Sequence, residues 1–114
     1  MKKFALVIGH NPRGRGAYSE YLDLSEYEYW RNVCDEINKI DDSIDIYSRK
    51  PEQNYLQEMK PVVAEINKHN YELALELHFN AASSQANGCE CLAYFKNEQA
   101  KKYAELFMKK LKTE

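Results

Sequence analysis

Phe4-Ala5-Leu6-Val7-Ile8-Gly9-His10 is the stretch on which the fold turns. Five apolar residues run without a polar break and stop at a glycine. Such a run predicts a strand buried on both faces, as in a parallel sheet. Parallel strands need crossover helices, so the rest of the chain should alternate helix and strand. His10 to Leu24 has no clear period and carries Asn11, Pro12, Gly14 and Gly16, so it reads as a long loop. Long loops in compact domains are often functional. Ser25 with Glu28 three residues later is a capping-box pattern. From it Trp30, Val33, Ile37 and Ile40 recur at spacings of three and four, an amphipathic helix to about Ile40. Ile44 to Tyr47 is a short second strand. Tyr55 to His69 is a second helix, with Pro61 marking a kink or a fresh first turn. Leu73 to Phe79 is a third strand, Gly88 to Phe95 a fourth, and Glu98 to Lys112 a third helix. Asn80 to Asn87 is a loop without a helix, so the third and fourth strands are expected to pair antiparallel. The predicted fold is α/β, three layers α-β-α, with a mostly parallel sheet and one antiparallel strand.

The 114 residues make one domain around one core. Sixteen Lys and Arg against 18 Asp and Glu leave a net charge of −2, which lacks the basic excess of nucleic-acid binders. No apolar run approaches the ~20 residues of a membrane span. Lys2-Lys3 before the first strand is not followed by a signal-peptide cleavage site. Three cysteines argue against a disulfide framework. The chain is therefore expected to be cytoplasmic as synthesised.

Ligands of open parallel sheets bind at the carboxyl ends of the strands. His10 follows the first strand and His78 ends the third, so both fall on that edge. The apolar stripe of the first helix, traced backwards from Ile40, lands on Glu26. A carboxylate thus heads a buried stripe, and an unpartnered buried carboxylate costs several kcal/mol. A cation between His10, Glu26 and His78 would satisfy it. Two histidines and a glutamate with an open fourth position make the ligand set of a hydrolytic zinc site. Taken singly, each residue has a plainer reading. Glu26 can complement the helix dipole, and a strand-end histidine can hold a loop. Glu20, in the loop, is the competing carboxylate. Glu76 shares the face of His78 but lies deeper. His69 ends a helix on the opposite edge and reads as structural. Cys89 and Cys91 are two apart on the expected fourth strand and are not read as a metal pair, and Cys34 reads as packing.

Val7-Ile8-Gly9-His10-Asn11, Ser25-Glu26-Tyr27-Glu28-Tyr29, Glu76-Leu77-His78-Phe79-Asn80-Ala81 and Gly88-Cys89-Glu90 together resemble the zinc-dependent N-acetylmuramoyl-L-alanine amidases of bacterial cell-wall hydrolases and phage endolysins. The resemblance runs from Met1 to about Lys112. It implies that His10, Glu26 and His78 bind Zn2+, that peptidoglycan is the partner, and that the amide between N-acetylmuramate and L-alanine is cleaved. It implies action on the cell wall after release or export, with Asn80 and Asn11 contacting substrate. The family's catalytic glutamate lies on a later strand, and this sequence stops at Glu114, so the domain is expected to be C-terminally incomplete. Glu90 is then the substitute general base, brought beside His78 by the antiparallel pair, or else a hydrogen-bond partner of the site. Missing strands would leave a sheet edge open to self-association. The rival readings are a zinc-binding but inactive peptidoglycan module and a metal-free α/β domain whose edge histidines bind phosphate or carboxylate.

Overall fold

A computed structural model describes residues 4–79 and 89–112. They belong to two compact units, Met1–Phe79 and Asn80–Glu114.

The first unit carries β1 (Phe4–Ile8), β2 (Tyr18–Ser19), β3 (Leu24–Ser25), α1 (Glu26–Ile40), β4 (Asp45–Ser48), α2 (Tyr55–Asn67) and β5 (Leu73–Leu77). β1 lies at the centre of a three-stranded sheet of order β4-β1-β5, and both pairings are parallel. A strand with neighbours on both sides and helices over both faces has no wet side, which is why Phe4 to Ile8 is apolar throughout. The chain moves from β1 to β4 through α1, then returns across β1 to β5 through α2. Right-handed crossovers taken in opposite directions put the two helices on opposite faces. On the α1 face, Ile8, Tyr27 and Cys34 form the core, with Leu6, Trp30, Ile46 and Leu77 packed against it. Ala5 and Val7 alternate to the other face and are buried there, as is Val62 of α2.

α1 begins where its capping box lies. Ser25 Oγ accepts the Glu28 N–H at 3.2 Å, and Glu28 Oε1 reaches back to Ser25. That bond to Ser25 holds the Glu28 carboxyl below its ordinary pKa. The buried face runs through Glu26, Tyr27 and Cys34 rather than to Ile40, which is 86% exposed because the helix outruns the sheet. α2 continues through Pro61 without a break.

Two expectations change. The antiparallel pair of this fold is β2 with β3, inside the long loop, with Tyr18 opposite Ser25. The expected fourth strand is not formed among the described residues. Cys89–Phe95 contains no strand, and Gly88 lies outside the described residues. The pattern there records apolar side chains, but a strand also requires a neighbour to take its backbone ladder, and the described sheet ends at β5. The second unit is described by that irregular segment and by α3 (Glu98–Lys112), where Asn97 Oδ1 accepts the Ala100 N–H at 3.0 Å.

Candidate metal centre

The carboxyl edge is drawn together by a close approach of two strand ends. Gly9 N–H donates to Leu77 O at 3.0 Å, one step beyond the β1–β5 ladder. A Cβ on Gly9 would stand 2.4 Å from Leu77 O and 2.7 Å from His78 Nδ1. Glycine is required there, and it lets the His10 and His78 rings meet edge to face at 5.2 Å. His10 itself has φ 68, a left-handed conformation that is uncommon outside glycine. That turn swings its ring off the strand and over the start of α1.

Glu26 is the first residue of α1 and is 3% exposed. Its Oε2 stands 2.9 Å from His10 Nε2 and 3.0 Å from His78 Nδ1. Its Oε1 accepts the Ala17 N–H at 3.2 Å. The loop is laced to the helix start: Glu26 N–H donates to Ala17 O at 2.7 Å and Tyr27 N–H to Arg15 O at 3.0 Å. Gly16, at φ +77, passes so close that a Cβ would meet His10 Cδ2 at 2.6 Å and Glu26 Oε1 at 2.8 Å. One ligand atom from each of His10, Glu26 and His78 lies within 4.8 Å of the others. Among the described residues, the ion-pair partners of this buried carboxylate are the two imidazoles, not a lysine or arginine. An imidazole nitrogen can turn a lone pair inward where an ammonium cannot, so the three atoms can share a cation.

Behind His78, Glu76 Oε1 is buried without a hydrogen bond and 3.3 Å from His78 Nε2. A carboxylate on the far nitrogen of an imidazole fixes which nitrogen faces inward. Tyr29, Trp30 and Phe79 cluster next to it, with Tyr29 and Phe79 ring centroids 5.2 Å apart.

The other candidates are not among the residues of this cluster as described. Glu20 is exposed at a turn and takes no part in the cluster. Asn11 is 4% exposed, and its side chain is engaged in the loop. Its Oδ1 accepts the Arg13 and Gly14 N–H groups at 2.9 and 2.7 Å, and its Nδ2 donates to Glu58 Oε2 at 2.8 Å. Glu90 is exposed in a segment that is not a strand, so the hairpin expected to carry it to His78 is absent from the described residues. Asn80 lies outside those residues. Sequence reasoning missed Gly16, noted only as a loop residue, and Arg49, a buried cation just past β4. Arg49 had an available signal: a residue following a parallel strand lies on the ligand-binding edge.

A family model described as N-acetylmuramoyl-L-alanine amidase matches residues 5–114. No curated protein and no solved structure matches the chain.

Proposed function

The chain belongs to the N-acetylmuramoyl-L-alanine amidase family, and from that premise we propose that it is a zinc-dependent hydrolase of the amide joining N-acetylmuramate to L-alanine in peptidoglycan. The observation that carries the reading is the convergence of His10 Nε2, Glu26 Oε2 and His78 Nδ1 around one point on the sheet edge. Two imidazoles and a carboxylate suit zinc in both charge and donor type. The buried Glu26 carboxylate, whose ion-pair partners among the described residues are the two imidazoles, suits a divalent ion.

Zinc held there supplies Lewis-acid polarisation of the scissile carbonyl and activation of water. The protein's own groups do the rest. Ala17 N–H engages one oxygen of Glu26 and leaves the other for the ion. Glu76 faces His78 Nε2, so Nδ1 is the nitrogen turned inward. Glu90, the carboxylate after Gly88 in the matching segment, is the proposed general base that moves the water proton to the leaving amine. The peptidoglycan layer is the proposed partner and site of action. No helix among the described residues is long and apolar enough to cross a membrane.

A second reading is favoured by the absence of a strand at Cys89–Phe95. It is a zinc-binding peptidoglycan module without amide cleavage, because the element meant to position Glu90 is not formed there. One experiment separates the two. Zinc affinity and release of peptides with a new N-terminal L-alanine are measured on the purified chain and on Glu90→Gln. The amidase reading expects zinc-dependent release, lost in Glu90→Gln by roughly 10²–10⁴-fold with zinc affinity kept. Zinc binding without release selects the module. No zinc binding removes both.

A further inference from the structure

Four polar or charged residues are buried among the described ones: Asn11, Ser25, Glu26 and Arg49. Ser25 caps α1 and Glu26 belongs to the metal centre. Arg49 and Asn11 remain, and both lie behind His10. Arg49 follows β4 directly, on the carboxyl edge. Its side chain is 4% exposed, and its Nε donates to the backbone oxygen of His10 at 3.3 Å. Its Nη1 is 3.7 Å from Glu58 Oε1, and its guanidinium lies over the Tyr55 ring at 5.1 Å. The other oxygen of Glu58 accepts from Asn11 Nδ2 at 2.8 Å and from Glu52 N–H at 3.3 Å. Arg49, Glu58 and Asn11 therefore grip the chain on both sides of the His10–Asn11 peptide bond.

Burying a guanidinium and a carboxylate is costly unless their geometry is good. What this pair holds is a backbone that resists its own conformation, since His10 is left-handed. A planar fork serves two acceptors in fixed directions, which the single ammonium of lysine cannot do.

We propose that Arg49 is a positioning residue of the metal centre. By holding the His10 carbonyl, it fixes the left-handed turn that aims His10 Nε2 at Glu26, and Glu58 holds Arg49 in place. The inference rests on the zinc reading of the site. It makes Arg49 necessary for tight metal binding although it touches no ligand atom of the cluster.

The test measures zinc affinity by chelator competition, with the urea midpoint of each protein alongside. Arg49→Lys keeps the charge and loses the fork. Its zinc affinity is expected to fall ~10–100-fold, the range for partners that orient a ligand. Glu58→Gln keeps acceptors for Asn11 and Glu52, and is expected to fall in the same direction by less. It carries the test if Arg49→Lys does not fold. Val62→Ala is the control. Val62 is buried on α2 and has no part in the cluster, so its loss should lower the midpoint and leave zinc affinity unchanged. Histidine ring resonances of the metal-free proteins give a second readout: His10 should shift in Arg49→Lys and His69 should not. Wild-type zinc affinity in Arg49→Lys, or an equal loss in Val62→Ala at equal destabilisation, overturns the inference alone. If the wild-type chain binds no zinc, the zinc reading of the site falls. The His10 resonances then still decide whether Arg49 positions that ring.

Discussion

At the amino end of the sheet the carboxylate of Asp45 accepts from the Tyr71 hydroxyl, and the Tyr47 hydroxyl meets that of Tyr71 at 2.6 Å. At the carboxyl end the carboxylate of Glu26 meets two imidazoles at 2.9 and 3.0 Å. Both ends gather polar groups around an acid, yet their chemistry differs. A hydroxyl carries one proton, so the amino-end chain runs in one direction, Tyr47 to Tyr71 to Asp45, and closes on the acid. An imidazole can present a proton or a lone pair. The carboxyl-end cluster can therefore exchange bridging protons for a cation, and the amino-end chain cannot. The surroundings agree with the division. The carboxyl end holds a left-handed histidine and two glycines at which a Cβ would clash. Strain of that kind persists where the fold over-determines it, commonly at functional sites.

The largest expected effect removes the acid at the carboxyl end. Glu26→Ala should lose zinc affinity well beyond the ~10–100-fold that loss of an orienting partner brings. Glu28→Ala, two residues on, should keep it, because Glu28 belongs to the capping box. Metal titration of the two variants decides the matter, and equal affinities would break the contrast between the two ends.

The next effect concerns the backbone that passes over the site. Gly16→Ala places a Cβ at φ +77 and within 2.8 Å of His10 and Glu26. Its stability is expected to fall by about 1–3 kcal/mol. Gly14→Ala is the matched comparison, since the nearest neighbour of its Cβ is Asn11 at 3.8 Å. A change within about 0.5 kcal/mol is expected there. Urea unfolding measures both. Similar losses in the two would mean that the loop is merely intolerant of side chains, with no special fit over the cluster.

The parts of this arrangement that could be read in advance are those written in a local pattern. β1 is legible because burial on both faces demands an unbroken apolar run. The start of α1 is legible because Ser25 and Glu28 carry the cap in their own side chains. Glu26 is legible because helical periodicity put an acid where an apolar residue belonged. What was not legible depends on partners distant in the chain. The two-residue strands β2 and β3 are too short to leave a period. Asn11 carries no local sign of the bond its amide makes to Glu58, 47 residues away. Arg49 resembles a solvated strand-end cation until the His10 carbonyl and Tyr55 are brought to it. Cys89 to Phe95 misleads in the opposite sense, because an apolar pattern reads as a strand although no strand pairs with it among the described residues.

The smallest effect tests whether the amino end is as inert as its hydrogen bonding implies. Tyr71→Phe removes the middle hydroxyl and should cost about 0.5–1.5 kcal/mol near neutral pH, the net worth of a hydrogen bond. The cost should depend on pH in one direction. Burial, then the bonds to Asp45 and Tyr47, raise the Tyr71 pKa above its ordinary value of 10.0. A group whose folded pKa is raised contributes stability that is complete below the unfolded value and is lost as pH rises toward the folded one. The gap in urea midpoint between wild type and Tyr71→Phe should therefore hold from neutral pH to about pH 10 and narrow above it. Zinc affinity should be the same in both proteins at every pH, because this hydroxyl lies at the other end of the strands from His10 and His78. A gap that stays constant through the alkaline range would deny Tyr71 its raised pKa. A fall in zinc affinity would show that the two ends are coupled through β1 and β5, and the separation drawn between them would be lost.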